Sequence, residues 1–172
     1  GYWTKKRCLK LTGKYVILGV AAIWDNRKGL EDFIKLRKLL NDDYEIILVG
    51  LTPEQKKALP ENMIGITRTN NVNELRELYA IADVFLNPTY EDNFPTTNIE
   101  SLASGTPIIT YRTGGSPEAL DKNTGVVISK GNIASIKIVL QEMRRLSFID
   151  SIKRSCQFNK DDKALEYLEL YK

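Results

Sequence analysis

Several short stretches of this chain are apolar nearly throughout rather than on alternate residues, and that pattern narrows the fold more than any other feature. Tyr15-Val16-Ile17-Leu18-Gly19-Val20 is the first, Tyr44 to Val49 with Ile46-Ile47-Leu48 at its centre is the second, and Met63 to Thr67 is a weak third. Val84-Phe85-Leu86, Pro107 to Tyr111 and a short Gly125 to Ser129 complete the series. A strand with one face in water alternates apolar and polar residues, so runs of this kind belong to a sheet covered on both faces. Between them lie residues at helical spacing: Leu30, Phe33, Ile34, Arg37 and Leu40; Leu75, Leu78, Tyr79 and Ala82, with Asn71 or Asn73 as N-cap; and Ile133, Ile136, Leu140 and Met143. Pro53 opens a further short helix, since the first helical turn has no use for its missing N–H. Strand and helix in regular succession make the sheet parallel, with right-handed crossovers. The expectation is one α/β domain, a doubly wound parallel sheet of about six strands with helices on both faces. Its extent is drawn at residues 15–150, after a basic opening segment at 1–14. A C-terminal helical segment at 151–172 runs through Ala164, Leu165, Leu168 and Tyr171.

Composition removes whole classes of chemistry. The 172 residues include no histidine, so the chain by itself builds no Ser-His-Asp triad and no imidazole base. Two cysteines, Cys8 and Cys156, without histidine do not make the usual zinc sites. The formal charge of +3, from 25 basic and 22 acidic residues, suits a small anionic ligand and is too weak to argue for nucleic acid. The opening segment carries Lys5, Lys6, Arg7, Lys10 and Lys14 with no acid, and reads as a solvated entry segment rather than a membrane or partner patch. No apolar run reaches the ~18–20 residues of a membrane span, and the first residues lack a signal peptide's apolar core. A cytoplasmic domain is the default expectation.

In a sheet of this type ligands lie beyond the carboxyl ends of the strands. The loops to read are therefore 21–29, 50–53, 67–71, 87–95 and 110–116. The first has neither G-x-G-x-x-G nor the P-loop pattern. It offers Arg27 and Lys28 at a helix N-terminus, with Gly29 next, which is either a phosphate site or two solvated cations. The fourth is the most unusual: Asn87-Pro88-Thr89-Tyr90-Glu91-Asp92-Asn93-Phe94-Pro95-Thr96-Thr97-Asn98-Ile99-Glu100. Pro95 and Thr96 open a helix that Thr96, Thr97 or Asn98 can cap. Glu100 lies about one turn inside, on a face with Ala103 and Ser104, and Gly105 ends the helix. Free helical N–H groups beside carboxylates suit a phosphorylated, hydroxyl-rich ligand. By itself the same pattern is better met by acids that complement a helix dipole, worth about 0.3–1 kcal/mol.

The whole string separates these readings. It runs Ala82-Asp83-Val84-Phe85-Leu86-Asn87-Pro88, then Glu91 through Glu100 to Ser101-Leu102-Ala103-Ser104-Gly105-Thr106-Pro107, then Thr113-Gly114-Gly115-Ser116-Pro117-Glu118. In that order and spacing the chain strongly resembles the C-terminal, donor-binding domain of the family 4 (group 1) retaining glycosyltransferases of the GT-B fold. The resemblance extends from about Tyr15 to Lys130 and weakly beyond. It implies that the α/β domain is Rossmann-like and forms the C-terminal half of a GT-B enzyme.

The family signature is two acids with seven residues between, which selects Asp92 and Glu100. Aspartate stands where glutamate is usual and Asn93 where glycine often sits. Whether Asp92 or the neighbouring Glu91 fills the first acidic position stays open. The resemblance implies that Glu100 binds the nucleotide ribose hydroxyls and that Asp92 contacts the donor sugar. The backbone of Asn93, Phe94, Pro95 and Thr96 is then near the diphosphate, with N–H donors from all but Pro95. Lys28 matches the Lys-Gly that binds donor phosphates in relatives. The arginine usual upstream is replaced by Ala21, Ala22 and Ile23, and Arg27 is the candidate to supply its charge. Arg68 and Thr69 come after the third strand, where relatives cradle the base.

The resemblance further implies metal-independent transfer of a sugar, of hexosyltransferase type, with retained anomeric configuration. The donor is a UDP- or GDP-sugar, no cofactor is needed, and the acceptor is a glycan or lipid-linked saccharide, as in polysaccharide assembly. The acceptor site belongs to an N-terminal half that this chain lacks, so the chain alone is expected to bind donor and be nearly inactive. The full-length enzyme is expected in the cytoplasm, with peripheral association at the inner face of the membrane left open. A non-catalytic nucleotide-sugar-binding module is the alternative.

Overall fold

The computed structural model describes residue 9 and residues 11–143 and 148–158, with the side chains of 148 and 149 left aside. Lys5, Lys6, Arg7, Cys8 and Lys10 of the opening segment, and the last helix expected through Ala164, Leu165, Leu168 and Tyr171, lie outside the described residues. Six strands alternate with helices along the chain: β1 (Tyr15–Val20), α1 (Leu30–Leu39), β2 (Tyr44–Val49), α2 (Pro53–Ala58), β3 (Ile64–Ile66), α3 (Val72–Ile81) and β4 (Val84–Asn87). Then come α4 (Thr96–Ala103), β5 (Ile108–Tyr111), a 3-10 turn at Ser116–Ala119, β6 (Gly125–Ile128), α5 (Ile133–Met143) and α6 (Phe148–Cys156).

The strands form one sheet in the order β3-β2-β1-β4-β5-β6, and every neighbouring pair is parallel. Central β1 pairs through Ile17 with Ile46 on one side and Val84 on the other. Side chains alternate across a strand, and the two faces of β1 feed two separate cores. Ile17 packs with Phe33 and Leu36 of α1 and with Ile136 and Leu140 of α5. Val16 and Leu18 pack with Leu78 and Tyr79 of α3 and Leu102 of α4 on the opposite face. All are essentially inaccessible to solvent, and each such side chain contributes about 1.5–3 kcal/mol by leaving water. This explains why the strands are apolar on both parities.

The helix ends obey local chemistry, with one correction. Thr52 and Gln55 form a reciprocal capping box on α2, and Asn71, not Asn73, caps α3 by accepting the Glu74 N–H at 2.9 Å. α4, however, has Pro95 at its N-cap position and no side-chain cap, so the capping expected from Thr96, Thr97 or Asn98 is not made. Asn98 is fully buried instead. Its amide accepts from Asn87 Nδ2 at 2.9 Å and donates to the Ser116 carbonyl at 3.1 Å, and these buried partners outweigh a cap available only on the surface. Arg37 is buried in a similar way, its guanidinium donating to the carbonyls of Leu40, Asn41 and Tyr44 beyond the end of α1. β3 is the edge strand, three half-buried residues long, which accounts for its weak signal. α6 runs across the border drawn at 150/151 and packs against α4. No helix among the described residues is long and apolar enough to cross a membrane.

Candidate functional site

The chain leaves β1 towards β2 on one side and later returns to β4 on the other, so the loops after β1 and β4 diverge from adjacent strand ends. That is the topological switch point of a doubly wound sheet, where a crevice opens. Hydrogen bonds join the two loops: the Arg27 carbonyl accepts the Tyr90 N–H at 2.6 Å and the Thr89 hydroxyl at 3.2 Å. Gly29 takes a left-handed φ of 75°, and a Cβ there would collide with the Pro88 carbonyl. A third loop, after β5, closes on the other side. Gly114 has φ 46°, and a side chain on it would run into the Asp92 carbonyl. The Gly115 N–H donates to the Asn93 carbonyl at 2.9 Å, and the Thr113 hydroxyl donates to the Thr89 carbonyl at 2.8 Å. The segment from Pro88 to Asn93 is thus held from both flanks.

A further device fixes Tyr90. Asp32 of α1 is buried and accepts hydroxyls from Tyr90 at 2.7 Å and Tyr111 at 2.6 Å. Burial, together with the Asp32 carboxylate, pushes the Tyr90 phenol up to about 12 and raises that of Tyr111 as well, so both remain donors at neutral pH.

This bracing places Lys28 against Asp92, with Nζ 2.5 Å from Oδ2 and both side chains largely shielded. They line a hollow of about 400 Å³ together with Ala21, Ala22, Asn87 and the first turn of α4. Phe94, Pro95, Thr96 and Thr97 form its far wall. The first N–H groups of a helix have no partner within it, so this end of α4 adds partial positive charge beside the lysine. Arg27 also lines the hollow, yet its guanidinium is turned on Asp25, with Nε and Nη2 at 3.0 and 2.7 Å from the same oxygen. That hydrogen-bonded cation holds the Asp25 carboxyl below its ordinary range. Asn93 is not among the lining residues, its carbonyl being engaged by the Gly115 N–H, and Glu91 is exposed.

Glu100 opens onto a different hollow. One turn further along α4, its Oε2 accepts the Tyr79 hydroxyl at 3.1 Å. It lines a space of about 620 Å³ between α3 and α4 with Val72, Leu75, Arg76 and Ser104. α4 therefore separates Lys28 and Asp92 from Glu100. Arg68 and Thr69 come after the edge strand β3, with Arg68 exposed, and they line neither hollow. Asp25, Asn87 and Thr97 line the first hollow and Tyr79 the second, although sequence reasoning does not single them out. Asn87 does carry a signal, as the polar residue that ends an apolar strand. Tyr79 carries none, because its place on a helix face reads simply as core. Among the described residues no group of three or more Asp, Glu or Cys is disposed to hold a metal ion.

The family model described as "Glycosyl transferases group 1" matches residues 14–144. Among characterised relatives, the D-inositol 3-phosphate glycosyltransferase of Corynebacterium diphtheriae is 28% identical over 141 residues, covering 72% of this chain and 33% of its own length. The N,N'-diacetylbacillosaminyl-diphospho-undecaprenol alpha-1,3-N-acetylgalactosaminyltransferase of Campylobacter jejuni is 24% identical over 95% of this chain and 46% of its own. Among solved structures, Anabaena HepE in complex with UDP and glucose superposes with a TM-score of 0.80 at 13% identity, covering 98% of this chain and 52% of that one. The chain thus spans between a third and about half the length of these relatives.

Proposed function

The chain belongs to the group 1 glycosyltransferases, and from that premise we propose that it is the nucleotide-sugar-binding, C-terminal half of a retaining, metal-independent hexosyltransferase of the GT-B fold. The observation that carries this reading is the Lys28–Asp92 pair at the mouth of β1 and β4, facing the N-terminal turn of α4. Breaking the bond between a sugar and a nucleoside diphosphate develops negative charge on the departing phosphate. A lysine and a helix N-terminus stabilise that charge without a metal. In this reading the diphosphate replaces the Asp92 carboxylate on Lys28, and Asp92 is released to accept a hydrogen bond from a donor-sugar hydroxyl. The N–H groups of Asn93, Phe94 and Thr96 supplement the lysine, while Pro95 shapes the turn. Glu100 takes the ribose hydroxyls across α4, and Arg68 and Thr69 approach the base. Arg27, held on Asp25, adds at most a minor share of the phosphate binding by exchanging that partner for the ligand.

The acceptor, a glycan or lipid-linked saccharide, is brought by an N-terminal half beyond this chain, so these residues bind donor without appreciable transfer. The full-length enzyme would work in the cytoplasm, at the inner membrane face when its acceptor is lipid-linked. The test is a thermal-unfolding titration with UDP, GDP and ADP. A ligand at about 100 times its Kd adds about 2.7 kcal/mol to the folded state, so one nucleotide should raise Tm in a concentration-dependent way. Unchanged Tm with all three at millimolar concentration would refute the reading.

A further inference from the structure

We infer that Tyr79 is a positioning residue for nucleotide recognition: its hydroxyl aims the Glu100 carboxylate so that the free oxygen faces a vicinal diol in the hollow between α3 and α4. The inference rests on the proposed function and extends it to a residue of the core.

The chemistry of the hollow selects the ligand group. Val72, Leu75, Ala80 and Ala103 supply apolar wall, and the Ser104 hydroxyl donates to the backbone carbonyl of Glu100 at 2.9 Å. The anionic acceptor is Glu100. Arg76 also lines the hollow, so the charge of the space does not by itself exclude an anion; the selection comes from the carboxylate, for which hydroxyls are the donors it requires.

Tyr79 is fixed at both ends. Its ring is 1% exposed and stands edge-on to Phe85 with centroids 5.4 Å apart. Its carbonyl accepts the Thr106 hydroxyl at 2.7 Å. Burial and the nearby carboxylate raise its pKa well above that of free tyrosine, so the hydroxyl stays a donor throughout the working pH range. Glu100 by contrast sits on the exposed side of α4, and Oε2 is the oxygen held. Without that bond a ligand would have to order a freely rotating glutamate, an entropic cost that pre-orientation removes.

The experiment compares affinities for UDP and GDP with those for their 2′,3′-dideoxy counterparts. The wild-type chain should prefer the ribonucleotide about tenfold, the scale of one or two hydrogen bonds to a charged group. Tyr79→Phe should reduce that preference to about twofold with the dideoxy affinity unchanged, a split that a merely structural role would not produce. Glu100→Asp lies at an exposed position and withdraws the carboxylate from the hydroxyl while keeping its charge, so it should lose the preference too, even if Tyr79→Phe folds poorly. In a double-mutant cycle, Tyr79→Phe should add nothing once Glu100→Gln is present. Equal loss for both nucleotide forms, or full preference retained in Glu100→Asp, overturns the inference. A wild-type chain that binds nucleotides without regard to the diol overturns it while leaving the proposed function standing. A wild-type chain that binds no nucleotide removes both.

Discussion

Arg27 and Lys28 are adjacent in the chain and each is paired with a carboxylate, yet the two pairs are made in opposite ways. Arg27 finds Asp25 two residues away, in the open, through a bond that the loop alone can form. Lys28 finds Asp92 across 64 residues, in a shielded site that exists only because β1 and β4 are neighbours and because glycines on two loops let the Asp92 segment come close. An exposed local pair is worth little and is exchanged readily with water or salt. A shielded, fold-built pair holds its cation in one place, so a ligand that replaces its anion binds in one orientation. The same residue chemistry is thus incidental in one position and a candidate site in the next.

Breaking the scaffold should have the largest effect. Gly114→Ala forces a side chain onto the Asp92 carbonyl at a left-handed backbone position. It should cost about 3 kcal/mol of stability and abolish nucleotide binding, measured by denaturant unfolding and by titration. Removing the fold-built cation comes next. Lys28→Ala should weaken binding of the preferred nucleoside diphosphate about 10- to 100-fold, as expected for losing a hydrogen-bonded charge, with Tm in the absence of ligand little changed; unaltered affinity by calorimetry would remove Lys28 from the site. Removing its anion should act in the opposite direction. Asp92→Asn leaves Lys28 without a competing carboxylate and should tighten binding of the sugar-free nucleotide about threefold, while the extra affinity contributed by the donor sugar falls. Arg27→Ala should be the smallest, changing affinity less than about twofold. Its partner sets the pH window. The carboxyl of Asp25 is held below its ordinary range, so the contribution of the local pair is present at neutral pH and is lost only as pH falls below the usual carboxylate range. Unfolding curves of Arg27→Ala and wild type should therefore coincide only under strongly acid conditions. An Arg27→Ala loss equal to that of Lys28→Ala would erase the contrast between the two pairs.

The elements of this fold are legible in the sequence to a large degree. Apolar runs such as Ile46-Ile47-Leu48 report burial on both faces, and Thr52-Pro53 and Gly105 report helix ends, because these depend on a residue and its immediate neighbours. The acids Asp92 and Glu100 are legible as a spaced pair only through the family resemblance, whose signature sets seven residues between them. Asn98 is not, since its choice between capping α4 and bridging Asn87 to Ser116 depends on what the third loop brings beside it. Nor is the contact of Tyr79 with Glu100, which joins two helices across 21 residues.

The sequence by itself determined the succession of buried strands and amphipathic helices, and the residue types able to bind phosphate and hydroxyl groups. Only the tertiary structure decided the spatial order β3-β2-β1-β4-β5-β6, and with it which carboxylate meets Lys28 and on which side of α4 Glu100 comes to lie. The physical reason is one of range. Periodicity and capping are settled within a few residues by sterics and local hydrogen bonds. The partner of a charged side chain is settled by which strands pair, and that depends on the packing of the whole sheet.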